Sequence, residues 1–75
     1  MEGTLLYDGI QQCYVILTDN DSEVALHCGD CLAIRYNGAW IDTRLEMDSD
    51  DEIFGWIFIG VGCAAPLIGH AVRFR

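Results

Sequence analysis

At 75 residues the chain has room for one small domain, and its 52% hydrophobic content is too high for a disordered acidic tail. Twelve acids against four bases leave a net charge of −8, and every base is an arginine: Arg35, Arg44, Arg73 and Arg75. That balance argues against direct binding of nucleic acid, which needs clustered positive charge.

The N-terminal Met1-Glu2-Gly3-Thr4 lacks the basic region and apolar core of a signal peptide. The longest apolar stretch, residues 53–68, is broken by Gly55, Gly60, Gly62 and Pro66 and is short for a bilayer span of roughly 20 residues. These features predict a single acidic domain over residues 1–75, cytoplasmic, with no membrane partner. In a reducing cytoplasm Cys13, Cys28, Cys31 and Cys63 need no disulfides.

Residues 4–7 form a short apolar run ended by Asp8-Gly9. Residues 12–18 are rich in β-branched and aromatic types and precede a turn at Asp19-Asn20-Asp21-Ser22. Residues 24–27 predict a third strand, broken by Gly29-Asp30.

The best local signal spans residues 32–47. Asn37-Gly38 parts two strand-like runs and is the preferred pair for a type I′ turn, because both residues tolerate positive φ. The turn sets a register of Tyr36 with Ala39, Arg35 with Trp40, Ile34 with Ile41, Ala33 with Asp42 and Leu32 with Thr43. Alternation then gives a core face of Leu32, Ile34, Ile41, Thr43 and Leu45. The opposite face carries Arg35, Trp40, Asp42, Arg44 and Glu46.

Residues 53–59 predict another strand, 60–66 a glycine- and alanine-rich connection, and 71–74 a last strand that closes the fold. A helix over 64–70 is opposed by Pro66 and Gly69. The pattern predicts an all-β domain: a small, strongly bent antiparallel sheet or an SH3-like barrel of five to seven short strands.

The run Leu26-His27-Cys28-Gly29-Asp30-Cys31-Leu32, followed by Gly38-Ala39-Trp40-Ile41-Asp42-Thr43-Arg44-Leu45-Glu46, resembles a family of small bacterial domains of unknown function found in chromosomes and mobile elements. The resemblance covers residues 24–60. It implies an all-β domain of bacterial or phage source and supplies no activity. The link after the tryptophan strand is usually shorter and less acidic in that family, so the acidic cluster here would be particular to this chain.

Cys28-Gly29-Asp30-Cys31 has the spacing of a zinc knuckle, but the second pair that such sites need is missing. Cys28 and Cys31 therefore stand only as remote metal candidates, and no cofactor is expected. The plainer expectation is a Gly29-Asp30 turn with the cysteines as small buried hydrophobes. His27 and His70 are isolated, and a chain this small has little volume for a pocket, so no enzyme is expected.

Glu46, Asp48, Asp50, Asp51 and Glu52 put five acids into seven residues. They lack the glycine and the terminal glutamate of an EF-hand loop. They form either a solvated connection or a patch for a basic protein surface, where spaced carboxylates mimic a phosphate array. Trp40 with Arg35 and Arg44 is the other candidate site, since Trp and Arg dominate interface hot spots. The resulting expectation is a protein-binding module. Its sharpest form is a phage or mobile-element inhibitor, anti-CRISPR-like, of a nucleic-acid-binding defence enzyme. The alternatives are a domain that self-associates, as a homodimer, through apolar surface, and a metal-binding regulator using the CxxC.

Overall fold

The computed structural model describes residues 2–48, 51 and 55–74. Among these residues eight strands follow in chain order: β1 Glu2–Asp8, β2 Cys13–Thr18, β3 Glu23–Ala25, β4 Cys31–Tyr36, β5 Ala39–Met47, β6 Trp56–Phe58, β7 Gly62–Cys63 and β8 Ala71–Phe74. All pair antiparallel, in the order β3-β2-β1-β8-β4-β5-β6-β7. The fold is all-β, as the periodicity predicts. The sheet is open rather than closed into a barrel, because β3 and β7 end it without pairing to each other. The count exceeds seven because the two-residue β7 lies inside the connection predicted for residues 60–66.

The sheet is strongly bent. Eight flat strands at about 4.8 Å would span roughly 34 Å and form a thin slab. The molecule measures 30 × 27 × 19 Å, so the ends must curl toward each other. One interior cluster draws on both halves: Leu5, Tyr14, Ile16 and Leu26 from one, Leu32, Ile34, Leu45 and Phe58 from the other, with Val72 between them.

The Asn37-Gly38 hairpin has the register that its turn chemistry dictates. Asn37 and Gly38 take φ of 52° and 82°, as a type I′ turn requires. Leu32, Ile34 and Leu45 are fully buried on the predicted face, and Ile41 and Thr43 are half-buried at its margin.

β8 lies at the centre of the sheet, bonded to β1 on one side and β4 on the other. It closes the fold as predicted. The third strand is Glu23–Ala25, beginning one residue earlier and ending two residues earlier than predicted; Leu26, just beyond it, still donates its N–H to the Tyr14 carbonyl and is buried in the core. Pro66 lies within a single 3₁₀ turn, Ala65–Leu67, rather than in an α-helix. Of the strand predicted over 53–59, Trp56–Phe58 is seen, while Ile53 and Phe54 lie outside the described residues. No helix among the described residues is long and apolar enough to cross a membrane.

Candidate functional site

β8, β4 and β5 lie side by side, and alternation turns Arg73, Ala33, Arg35, Trp40 and Asp42 to the outer face. Arg35 sits opposite Trp40 across the β4–β5 ladder, and Arg73 sits opposite Ala33 across β4–β8. The Arg73 guanidinium carbon lies 4.3 Å from the centre of the Trp40 ring, and that of Arg35 lies 5.7 Å away. Both fall within cation–π range. The indole is half-buried, so part of it still meets solvent.

Arg44, predicted to join this group, turns instead to Glu46 two residues along the same strand. Its Nε lies 3.1 Å from Glu46 Oε1, with both side chains partly exposed. Such a pair contributes little to stability, about 0–1 kcal/mol. It does remove Glu46 from the acidic cluster to which its position in sequence assigned it. Cys28 Sγ also approaches the second oxygen of Glu46, at 3.8 Å.

Asp48 and Asp51 are exposed in the connection between β5 and β6. The Asp48 N–H donates to the Gly55 carbonyl, and the Gly55 N–H donates to that of Asp51. Asp50 and Glu52 lie outside the described residues.

The CxxC forms a turn held by Asp30. The Asp30 carboxylate accepts the His27 N–H at 2.7 Å, and the Asp30 N–H donates to the His27 carbonyl. The turn docks on β5 through Gly29 N–H to the Leu45 carbonyl and Leu45 N–H to that of Asp30. The turn is as predicted, but the burial of the cysteines is not. Cys28, Cys31 and Cys63 are exposed and Cys13 is half-buried, all as free thiols. Cys31 opposes Arg44, which puts it on the outer face with the charged residues. No group of three or more metal-ligating side chains converges among the described residues.

A shallow recess of about 390 Å³ borders the arginine and tryptophan cluster, lined by Cys31, Asp42, Thr43, Arg44 and Ile59. It arises where β5 bends from β4 toward β6. The Thr43 hydroxyl donates to the Ile59 carbonyl at 2.6 Å, and the Ile59 N–H donates to that of Arg44.

The residue that sequence reasoning missed is Arg73. Its outward direction was legible, because Val72 and Phe74 alternate with it as apolar neighbours. Its place beside Trp40 was not, since nothing local in the chain says that β8 pairs with β4.

Residues 3–74 match the profile of a domain of unknown function, DUF5348. A crystal structure of a protein from Ruminococcus gnavus, solved as a structural-genomics target, is similar with a TM-score of 0.80 and 36% identity, covering 99% of this chain and 100% of that one. No curated protein matches the chain.

Proposed function

The chain belongs to the DUF5348 family of domains of unknown function, and from its outer face we propose that it is a protein-binding module centred on Trp40. The observation that carries this reading is a half-buried indole with two guanidiniums within cation–π range of its ring, on the outer face of β8, β4 and β5. A partly exposed tryptophan braced by arginines has the chemistry of an interface hot spot. The partner would place an apolar side chain against the free part of the ring and carboxylates against Arg35 and Arg73. This gives the chain a binding role and no catalytic one.

A second reading is favoured by the exposure of Asp48 and Asp51. In it the acidic connection meets a basic protein surface, such as the channel of a nucleic-acid-binding defence enzyme, and the protein is an inhibitor from a phage or other mobile element of a bacterial host. One experiment separates the two. Wild type, Trp40→Ala and Asp48→Asn/Asp51→Asn are immobilised in parallel and exposed to lysate of the source organism. A partner kept by the neutralised connection and lost with Trp40→Ala supports the tryptophan face. The reverse pattern, with retention falling steeply as salt is added, replaces it with the acidic connection.

A further inference from the structure

Up to Leu26 the chain carries no lysine, arginine or histidine, but it does carry five acids: Glu2, Asp8, Asp19, Asp21 and Glu23. That stretch builds β1, β2 and β3, one end of the sheet. Leu5, Tyr14 and Ile16 face the interior cluster, so their alternates face outward. On this outer face Leu6 pairs with Val15 and Val15 with Ala25, while Leu17 pairs with Glu23.

An outer face is ordinarily polar, and this one is apolar at its centre. Val15 is only 1% exposed although it is not part of the interior cluster. Beyond it, at the tip of the β1–β2 hairpin, Ile10 is 95% exposed. The tip is held open by Asp8, whose carboxylate accepts the N–H groups of Ile10 and Gln11 and the side-chain amide of Gln11. Leu6, Val15, Ile10, Asp8 and Glu23 line an open recess of about 470 Å³.

We propose that this recess docks a segment of a partner protein in which basic residues flank one large apolar side chain. The apolar group rests on the half-buried Leu6 beside Ile10, and the basic groups meet Asp8 and Glu23. Charge selects this occupant. No base on these three strands competes for the two carboxylates. A second copy docked through this same patch would bring Asp8 and Glu23 against their own kind, and an acidic segment would be repelled in the same way. This surface is separate from the Trp40 cluster, which lies across β8, β4 and β5.

The probe is a synthetic pentapeptide with phenylalanine between two pairs of lysines, titrated into the full chain and followed through its backbone amide spectrum. The expected result is shifts at Leu6, Ile10, Val15 and Glu23. Ile10→Ser and Glu23→Gln should each weaken binding about fivefold or more, a change well resolved as an affinity difference, while Trp40→Ala leaves it unchanged. Ile10 and Glu23 are exposed, so their substitution should leave the melting temperature in place. A control peptide with serine for phenylalanine should bind more weakly. Equal binding of the control, shifts that map to Asp48 and Asp51, or indifference to Ile10→Ser would each overturn the proposal. So would a concentration-dependent dimer in sedimentation that Ile10→Ser abolishes, which would make a second copy the occupant.

Discussion

Arg73, on the last strand, stands closer to the Trp40 ring than Arg35, the residue paired with that tryptophan across the hairpin: 4.3 Å against 5.7 Å. Cation–π attraction falls with distance, and Arg73 is also the more buried of the two. Arg73→Ala should therefore destabilise the fold by about 0.5–2 kcal/mol and Arg35→Ala by less. Urea midpoints of the two variants check this. Equal losses would mean that the contact with the ring is not what distinguishes them.

Ile34 is fully buried at the centre of the β4–β5 ladder. Ile34→Val should cost about 0.5–1.5 kcal/mol. Ile34→Asp would place an unpaired carboxylate among apolar side chains, a penalty beyond the roughly 3–5 kcal/mol that so small a core provides. Its thermal melt should lose cooperativity. A folded Ile34→Asp protein would contradict the register.

Gly3 lies on β1 where a Cβ would collide with the Leu17 carbonyl oxygen and come within 2.6 Å of Ile16 Cγ2. The carbonyl is backbone and cannot swing aside. Gly3→Ala should thus lower the melting temperature even though alanine is the better strand residue by entropy. A neutral or stabilising result would show that β1 and β2 can separate without loss.

Two groups make stability depend on pH at opposite extremes. The Gln11 side-chain amide, helped by two backbone N–H groups, holds the Asp8 carboxyl below its ordinary 3.8. The hydrogen bonds therefore favour the folded state above that value, and their contribution is lost as pH falls through the lower folded pKa. Gln11→Ala should bring the Asp8 titration, read by NMR, back toward 3.8. Burial pushes the Tyr14 hydroxyl up to about 12 from 10.0, with Tyr7, Asp51 and Cys63 adding to the shift. The unfolded chain releases that proton first, so stability should fall between about pH 10 and 12. Alkaline denaturation that begins well below pH 10 would assign the transition to another group.

Cys28 and Cys31 stand exposed on a turn whose geometry is set by Asp30 and by two hydrogen bonds to Leu45. None of those bonds involves a thiol. A chelator should leave the melting temperature unchanged, and Cys28→Ser/Cys31→Ser should fold like the parent. Stoichiometric zinc that is lost with the double substitution would reverse this expectation.

The parts of the fold legible in the sequence are those fixed by short-range rules. Asn37-Gly38 sets a turn, the turn sets a register, and the register sorts Leu32 and Ile34 from Arg35 and Trp40. Cys31 was open to the same logic, since its parity matches Arg35 and not Leu32, yet residue type suggested burial. Other features depend on contacts between distant segments. The pairing of β8 with both β1 and β4, and so the Arg73–Trp40 contact, joins residues that nothing local connects. β7 is only two residues long, too short to show periodicity. Glu46 looked like one acid among five, and the β-strand period turned it toward Arg44 instead.

The central place of β8 has a consequence for how the chain comes into being. Strands β1 to β3 and β4 to β7 leave the ribosome first, and each group can form its own hairpins from near neighbours in sequence. Neither group can seal its interior, because Val72 and the strand that bears it fill the seam between them. Until residues 71–74 emerge, the nascent polypeptide presents two unpaired inner edges, on β1 and β4, with Leu5 and Ile34 beside them. Such edges invite pairing with other chains. Loss or displacement of β8 is therefore the shortest route to misassembly.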